Sequence, residues 1–332
     1  MSGEGPGLGS AVDPPRVAAR EAVARALAED VLPLGDLTGT LVPDDAKATL
    51  SLVARENGVV AGRLCAVEAF HAVDPTLSVK WHAPDGTRVL PGTVVAEVSG
   101  NLRSILTAER TALNFLCHLS GVATLTASYV EAVSGANAAT RVLDTRKTTP
   151  GLRSLEKAAV RAGGGHNHRG NLSDAVLIKD NHLGGLDVAT AVRTARDRWP
   201  GRLVEVECDN AGQVVGAVAA GAGAVLLDNM SVEEVVRCVE LARASSPGES
   251  VLVEVSGGVT LESAPAFAKA GADLISVGSI THSAPSLDLA LDLPSTDAGS
   301  GEPAISASNE PVSKERASNE PVSKEPVSKE RA

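Results

Sequence analysis

The sequence predicts an α/β fold on three observations. From residue 139 onward, short apolar runs alternate with helical segments, each run is apolar enough to be covered on both faces, and each ends in a polar residue or a glycine. Runs of that kind are parallel strands flanked by helices. Repeated βα units close as a barrel or lie open as a doubly wound sheet. The strand-end residues Asp144, Lys179, Glu207, Asp228, Ser256 and Gly278 favour the barrel, because a parallel barrel gathers its strand C-termini at one mouth where ligands bind. Lys179 and Glu207 directly continue apolar strands and would be costly to bury unpaired.

The elements follow in order. Residues 13–32 suit a first helix, with Asp13 as N-cap and Pro14 at the first helical position. Strand-like runs at 48–54, 77–81 and 93–98 are separated by turn signals such as Asn57-Gly58 and Asp85-Gly86, with a helix over 63–73. This first part is an α+β unit. A long helix over 102–133 leads into the alternating part. Its strands are expected at 140–143, 175–178, 203–206, 224–227, 252–255 and 273–277, and its helices at 154–162, 186–199, 211–220, 232–243 and 261–270. SNEPVSKE occurs at 308–315 and again at 318–325, so 294–332 reads as a disordered repeat tail, and 1–12 as a disordered Gly/Pro-rich N-terminus.

Composition removes several function classes. The 332 residues are 43% apolar, enough for one large or two moderate cores, but only 2% aromatic, which argues against base-stacking platforms. Cys65, Cys117, Cys208 and Cys238 form no CxxC pair and suit reduced core positions of a cytoplasmic protein. The N-terminus lacks an apolar signal core, and the charge-free stretch 211–227 is too short and too glycine-rich to cross a bilayer. No membrane or nucleic-acid partner is expected. The chain carries −11 overall, yet 141–182 holds eight Lys/Arg against four Asp/Glu. Such a local cationic cluster points to a small, highly anionic ligand.

Four constellations carry chemistry. Arg146, Lys147, His168, Arg169 and Lys179 exceed what one phosphate needs; Arg forks a carboxylate or phosphate, and Lys adds a compact charge. Arg153, Lys157 and Arg161, four apart, read as a solvated helix stripe. Ser256, Gly257 and Gly258, then Gly278 and Ser279, lie in two successive βα turns and suit a phosphate cradle of backbone N–H groups. Arg110, Asn114 and His118 form a polar stripe on an apolar helix, suited equally to a site or to a contact with solvent or another domain. Glu207 and Asp228 are hard-oxygen groups suited to Mg²⁺, and Glu205 shares the face of Glu207. No nucleophile–base dyad stands out, so positioning and electrostatics are the expected chemistry.

Taken together, GDLT (35–38), ARENGVVAG (54–62), ERTALNFLCHLSGVAT (109–124), DTRKTTPGLR (144–153), EKAAVRAGGGHNHR (156–169), LIKDNH (177–182), VEVE (204–207), LLDN (226–229), VSGGV (255–259) and VGSITHS (277–283) closely resemble the quinolinate phosphoribosyltransferases. The resemblance covers about residues 13–293. It implies an N-terminal α/β sandwich (13–120) packed on an incomplete α/β barrel (121–280), with a last helix near 281–293 returning to the first domain. It also implies a homodimer with shared active sites and conversion of quinolinate and phosphoribosyl pyrophosphate (PRPP) to nicotinate mononucleotide, pyrophosphate and CO₂. By the same resemblance Arg146, His168, Arg169 and Lys179 bind quinolinate, with Arg110 supplied by the neighbouring subunit. Lys147 lies on the PRPP side; Glu207 and Asp228 lie near ribose and Mg²⁺; Ser256, Gly257, Gly258, Gly278 and Ser279 hold the 5′-phosphate. A phosphoribosyltransferase with another acceptor ring, or a phosphate-sugar sensor, shares parts of this pattern.

Overall fold

A computed structural model describes residues 12–245 and 251–293, together with a short strand at 305–306. The expected tail at 294–332 lies outside the described residues except at Ile305–Ser306, and the expected loose N-terminus at 1–12 lies outside them except at Val12.

The first part begins with helix α1 (Arg16–Val31), a 3₁₀ turn at Gly39–Leu41 and strand β1 (Lys47–Ala54). It continues through β2 (Gly58–Val59), α2 (Arg63–Val73), β3 (Ser78–Trp81), β4 (Arg88–Val89) and β5 (Val94–Asn101). Asp13 is not the cap of α1: Pro15 holds the N-cap position with no side-chain cap, and Asp13 instead faces Arg63 at 3.7 Å. Strand β1 alternates exposed and buried residues, as expected of an antiparallel strand with one face on a core. It pairs antiparallel with β5, and β5 with β3.

Helix α3 (Leu102–Ala136) opens on Asn101, whose side chain accepts from the Ser104 amide at 3.0 Å. It buries Ile105, Ala108, Ala112, Leu116 and Leu119, a stripe at helical spacing. The helix packs on α2 and on elements of the second part, and it runs across the boundary expected at 120/121. One continuous helix thus joins the two parts.

The second part runs β6 (Arg141–Leu143), α4 (Arg153–Ala162), β7 (Val176–Ile178), α5 (Asp180–Leu183), α6 (Val188–Arg198) and β8 (Val204–Cys208). It ends with α7 (Ala211–Ala219), β9 (Ala224–Asp228), α8 (Val232–Ser245), β10 (Leu252–Ser256), α9 (Ala264–Lys269), β11 (Leu274–Ser276) and α10 (Ser279–His282). Its sheet is parallel, in the order β6-β11-β10-β9-β8-β7, with His166 adding a parallel bridge beside Leu143. Residues at or just beyond the C-terminal ends of all six strands line one cavity, so the sheet curls into a barrel left open between β7 and the 166 segment. Not every strand is apolar on both faces: Glu205 and Glu254 are 2% and 1% exposed inside the barrel.

The helix expected near 281–293 is replaced by the single turn α10 and strand β12 (Leu289–Asp292), which pairs antiparallel with β1. Pro285 cannot continue a helix, and the Leu287 amide donates to the Cys117 carbonyl of α3 at 2.9 Å. At Gly121 of α3 a Cβ would collide with the Pro285 backbone, so this glycine lets the chain return to the first sheet. Among the described residues the last strand is β13 (Ile305–Ser306), also on β1.

Candidate active site at the barrel mouth

The cavity has a volume of about 340 Å³. It brings Arg146, Lys147, His168, Arg169 and Lys179 together with Glu207, Asp228 and Ser256. Thr145, Ser276 and Glu254, none of them singled out in the sequence, also line it. Gly257, Gly258, Gly278 and Ser279 are not among the lining residues; they form the turns that follow β10 and β11 at its edge. Arg110 lies outside the cavity, exposed on α3 with Asn114, whereas His118 reaches the buried Glu156 at 2.8 Å.

One buried ion pair anchors the cationic loops. Asp144, directly after β6, is 0% exposed and pairs with Lys157 of α4. The same carboxylate accepts from the Asn167 side chain at 2.6 Å and the His168 amide at 2.9 Å. Lys157 also donates to the His168 carbonyl at 2.8 Å. The expected solvated stripe is therefore wrong: Lys157 is buried, and Arg161 bonds Asn167 and the Asp13 carbonyl. Arg153 donates to the Gly170 and Arg146 carbonyls, tying the two loops to each other. Helix α4 faces this loop cluster, and its cations are consumed there.

The cations that face the cavity are less satisfied. Arg146 Nε is buried and has no hydrogen-bond partner among the described residues. Burial lowers the Arg169 pKa, and the positive charge of Arg146 lowers it further. Two neighbouring guanidiniums, neither of them in an ion pair among the described residues, suit an anion with two negative groups, with Glu205 near enough to offset part of the Arg169 charge. Lys179 differs, because its ammonium pairs with Glu207 across the mouth.

His168 is not a free cation. Its Nδ1 accepts the Arg169 amide at 2.8 Å, and its Nε2 faces Glu205 at 3.0 Å and Glu254 at 3.6 Å. The neutral ring is therefore the Nε2–H tautomer. Burial pushes its pKa down, but the Glu205 hydrogen bond and the two carboxylate charges carry it upward overall. Glu254 is raised to about 8, first by burial and then by Glu205. The folded state thus keeps a proton that the unfolded Glu releases near pH 4.5, so stability falls as pH rises from there toward 8. The raised His168 acts in the same direction, its contribution being lost as pH climbs through its folded value. Glu254→Gln is expected to flatten this slope: its melting temperature should match wild type near pH 5 and exceed it at pH 8. Parallel melting curves across that range would overturn the assignment of a neutral Glu254.

The turn after β10 is built for close approach. Gly257 and Gly258 have φ of +86° and +58°, and a Cβ on Gly257 would collide with Asn229. Asn229 itself has φ of +55°, with its amide bonded to the Ser256 carbonyl at 3.0 Å and its side chain to Asp228 at 2.8 Å. Such strain in a non-glycine residue beside a cavity marks a constrained site. On the other side, a Cβ at Gly278 would stand 3.2 Å from Lys147 Cδ, and Thr281 donates to the Lys147 carbonyl at 2.7 Å. Lys147 is thereby held against the second glycine turn.

Glu254 had a signal in the sequence: it stands two residues before Ser256 on one strand, as Glu205 does before Glu207, so each pair shares a face. The Asp144–Lys157 pair had none, since only the tertiary fold brings α4 under β6.

Two family models cover nearly all of the described chain: the quinolinate phosphoribosyl transferase N-terminal domain matches residues 36–120 and the C-terminal domain residues 122–292. The chain belongs to the quinolinate phosphoribosyl transferase family. The nicotinate-nucleotide pyrophosphorylase [carboxylating] of Mycobacterium leprae is 43% identical over 281 residues, spanning 83% of this chain and 97% of that relative. The human protein of the same description is 41% identical over 259 residues, 76% of this chain and 84% of its own. A solved nicotinate-nucleotide pyrophosphorylase from Francisella tularensis superimposes with a TM-score of 0.79 at 40% identity, covering 86% of this chain and 99% of that one. Family membership accounts for the two-part α/β architecture and the barrel.

Proposed function

We propose that this quinolinate phosphoribosyl transferase family member joins quinolinate to PRPP, releasing pyrophosphate and CO₂ and forming nicotinate mononucleotide for de novo NAD synthesis. The observation that carries the reading is the convergence of Arg146, Arg169 and Lys179 with Glu207, Asp228 and Ser256 on one cavity. A ring with two adjacent carboxylates needs several fixed cations, and a sugar phosphate needs a glycine turn beside acidic groups.

Quinolinate sits against Arg146, Arg169 and Lys179, with His168 packing on it as a ring whose nitrogens are held by the protein. The 5′-phosphate takes the turns at Ser256, Gly257, Gly258, Gly278 and Ser279. The pyridine nitrogen forms its bond to the anomeric carbon as the bond to pyrophosphate breaks. Lys147 faces the departing charge, and Glu207 and Asp228 stabilise the positive ribose. The positive charge on the quaternary nitrogen then stabilises the carbanion that stays on the neighbouring ring carbon when its carboxylate departs as CO₂, and that carbon takes up a proton.

The carboxylates of Glu207 and Asp228, hard donors at neighbouring strand ends inside the cavity, fit Mg²⁺. When bound there, Mg²⁺ neutralises phosphate charge. The buried His168, Glu205 and Glu254 also place ligand atoms within 4.8 Å of one another, but His168 Nε2 and Glu205 already satisfy each other. We place the protein in the cytoplasm, in keeping with its four free cysteines.

The deciding experiment measures CO₂ from carboxyl-labelled quinolinate with PRPP and Mg²⁺. One CO₂ per nicotinate mononucleotide is expected. PRPP binding without CO₂ would instead make the protein a sensor. The exposed Arg110 serves the neighbouring subunit's cavity in a homodimer. Mixing inactive Arg110→Ala with inactive Lys179→Ala chains should then restore part of the activity, about a quarter of wild type for random exchange with one intact site in each mixed dimer. A mixture that stays dead after proven exchange would mean that Arg110 acts within its own chain or not at all.

A further inference from the structure

Far from the mouth, residues 193–202 (RTARDRWPGR) hold four arginines against one aspartate in a chain whose net charge is −11. Arg193, Arg196, Arg202 and Trp199 line a cavity of about 440 Å³ with Asp197, Pro200 and Gly201. It lies where α6 ends and the chain enters β8, at the opposite end of that strand from Glu207. Among the described residues, none of Arg193, Arg196, Arg198 and Arg202 has a carboxylate within ion-pair distance. Arg193 donates to Thr190 Oγ1 and Arg202 to the Asp174 carbonyl, so neither is tied up in an ion pair, although each lies near enough to one aspartate, Asp187 and Asp174 respectively, to help hold that carboxyl below its usual range. The Arg196 guanidinium lies over Gly221, where any Cβ would displace it.

Stabilisation of the α6 C-terminus, where the helix dipole favours positive charge, accounts for the placing of Arg196 and Arg198. It does not explain Arg202, which stands beyond the helix, or Trp199. That residue is one of only two tryptophans, and it is 59% exposed on the cavity wall. Guanidiniums beside an exposed indole suit a planar ring bearing several negative charges. A nucleic-acid polymer would meet the repulsion of a net-negative surface, whereas a small polyanion would not.

We propose that Arg193, Arg196, Arg202 and Trp199 form a second, non-catalytic site for a nucleoside polyphosphate. The test uses the full chain with Trp81→Phe, so that Trp199 alone reports, and titrates ATP and inorganic tripolyphosphate separately. ATP is expected to quench Trp199 saturably. Arg196→Ala and Arg202→Ala should each raise the ATP Kd about tenfold or more while kcat for CO₂ release stays at wild type. Arg146→Ala, which alters the barrel mouth, should leave the quench unchanged. No quench by ATP up to about 10 mM, or an unchanged Kd in Arg196→Ala, would overturn the site. Equal affinity for tripolyphosphate would overturn the role given to the indole.

Discussion

Arg146→Ala is expected to raise KM for quinolinate by about 100-fold or more while moving KM for PRPP less than about fivefold. The guanidinium is partly buried, its Nε is unpartnered among the described residues, and it faces the same cavity as Arg169 and Lys179. Binding a carboxylate there satisfies an orphan donor and relieves the repulsion between two guanidiniums. Losing it strands a desolvated carboxylate, which costs about 2–5 kcal/mol. The protein itself should not suffer. Arg169 loses a like-charged neighbour, so the melting temperature should hold or rise. Arg146→Lys should recover only part of the loss, because an ammonium cannot fork a carboxylate. Initial-rate kinetics with each substrate varied would decide. Equal losses for quinolinate and PRPP would move Arg146 away from the acceptor and favour a ring with fewer carboxylates.

What was legible in the sequence followed from periodicity and local charge. Strands β8 to β10 and helices α7 and α8 lie where apolar alternation puts them, and Arg146, Arg169, Lys179, Glu207 and Asp228 do share a cavity. Partner choice inside the fold was not legible. Lys157 at four-residue spacing looks like a solvated cation until β6 places Asp144 beneath it. His168 counts as a cation in the sequence, yet an amide and a carboxylate occupy its two nitrogens. The helix near 281–293 was implied by the resemblance alone; strand β12 stands there instead, and its pairing with β1, well over two hundred residues away, leaves no local trace in the sequence beyond Pro285. Arg110 is the reverse case: its spacing suits a site and a solvent contact equally, and within this chain it is exposed on α3, outside the cavity.

Lys157→Met is expected to destabilise the fold by about 3–5 kcal/mol, lowering the melting temperature by about 10 °C. Asp144 is fully buried; burial raises its pKa, and Lys157 is the largest influence holding it down. Without that ammonium the carboxylate retains only the Asn167 side chain and the His168 amide. Its pKa then rises further. The folded state binds a proton that the unfolded Asp gives up near pH 3.8, so the variant's stability deficit should grow as pH rises through the raised value. The neutral double variant Asp144→Asn/Lys157→Met removes the stranded charge and should recover much of the loss, giving a coupling energy above about 1 kcal/mol in a double-mutant cycle. The kinetic consequence separates this pair from ordinary core packing. Asp144 and Lys157 hold the backbone of His168 from both sides, next to Arg169, and Asp144 itself stands two residues before Arg146. At a temperature where Lys157→Met remains folded, kcat/KM for quinolinate should therefore fall by at least about tenfold, even though neither residue lines the cavity. A variant that melts within about 1 kcal/mol of wild type, or that melts early yet keeps full quinolinate kinetics, would show that the cationic loops hold their positions without this buried pair.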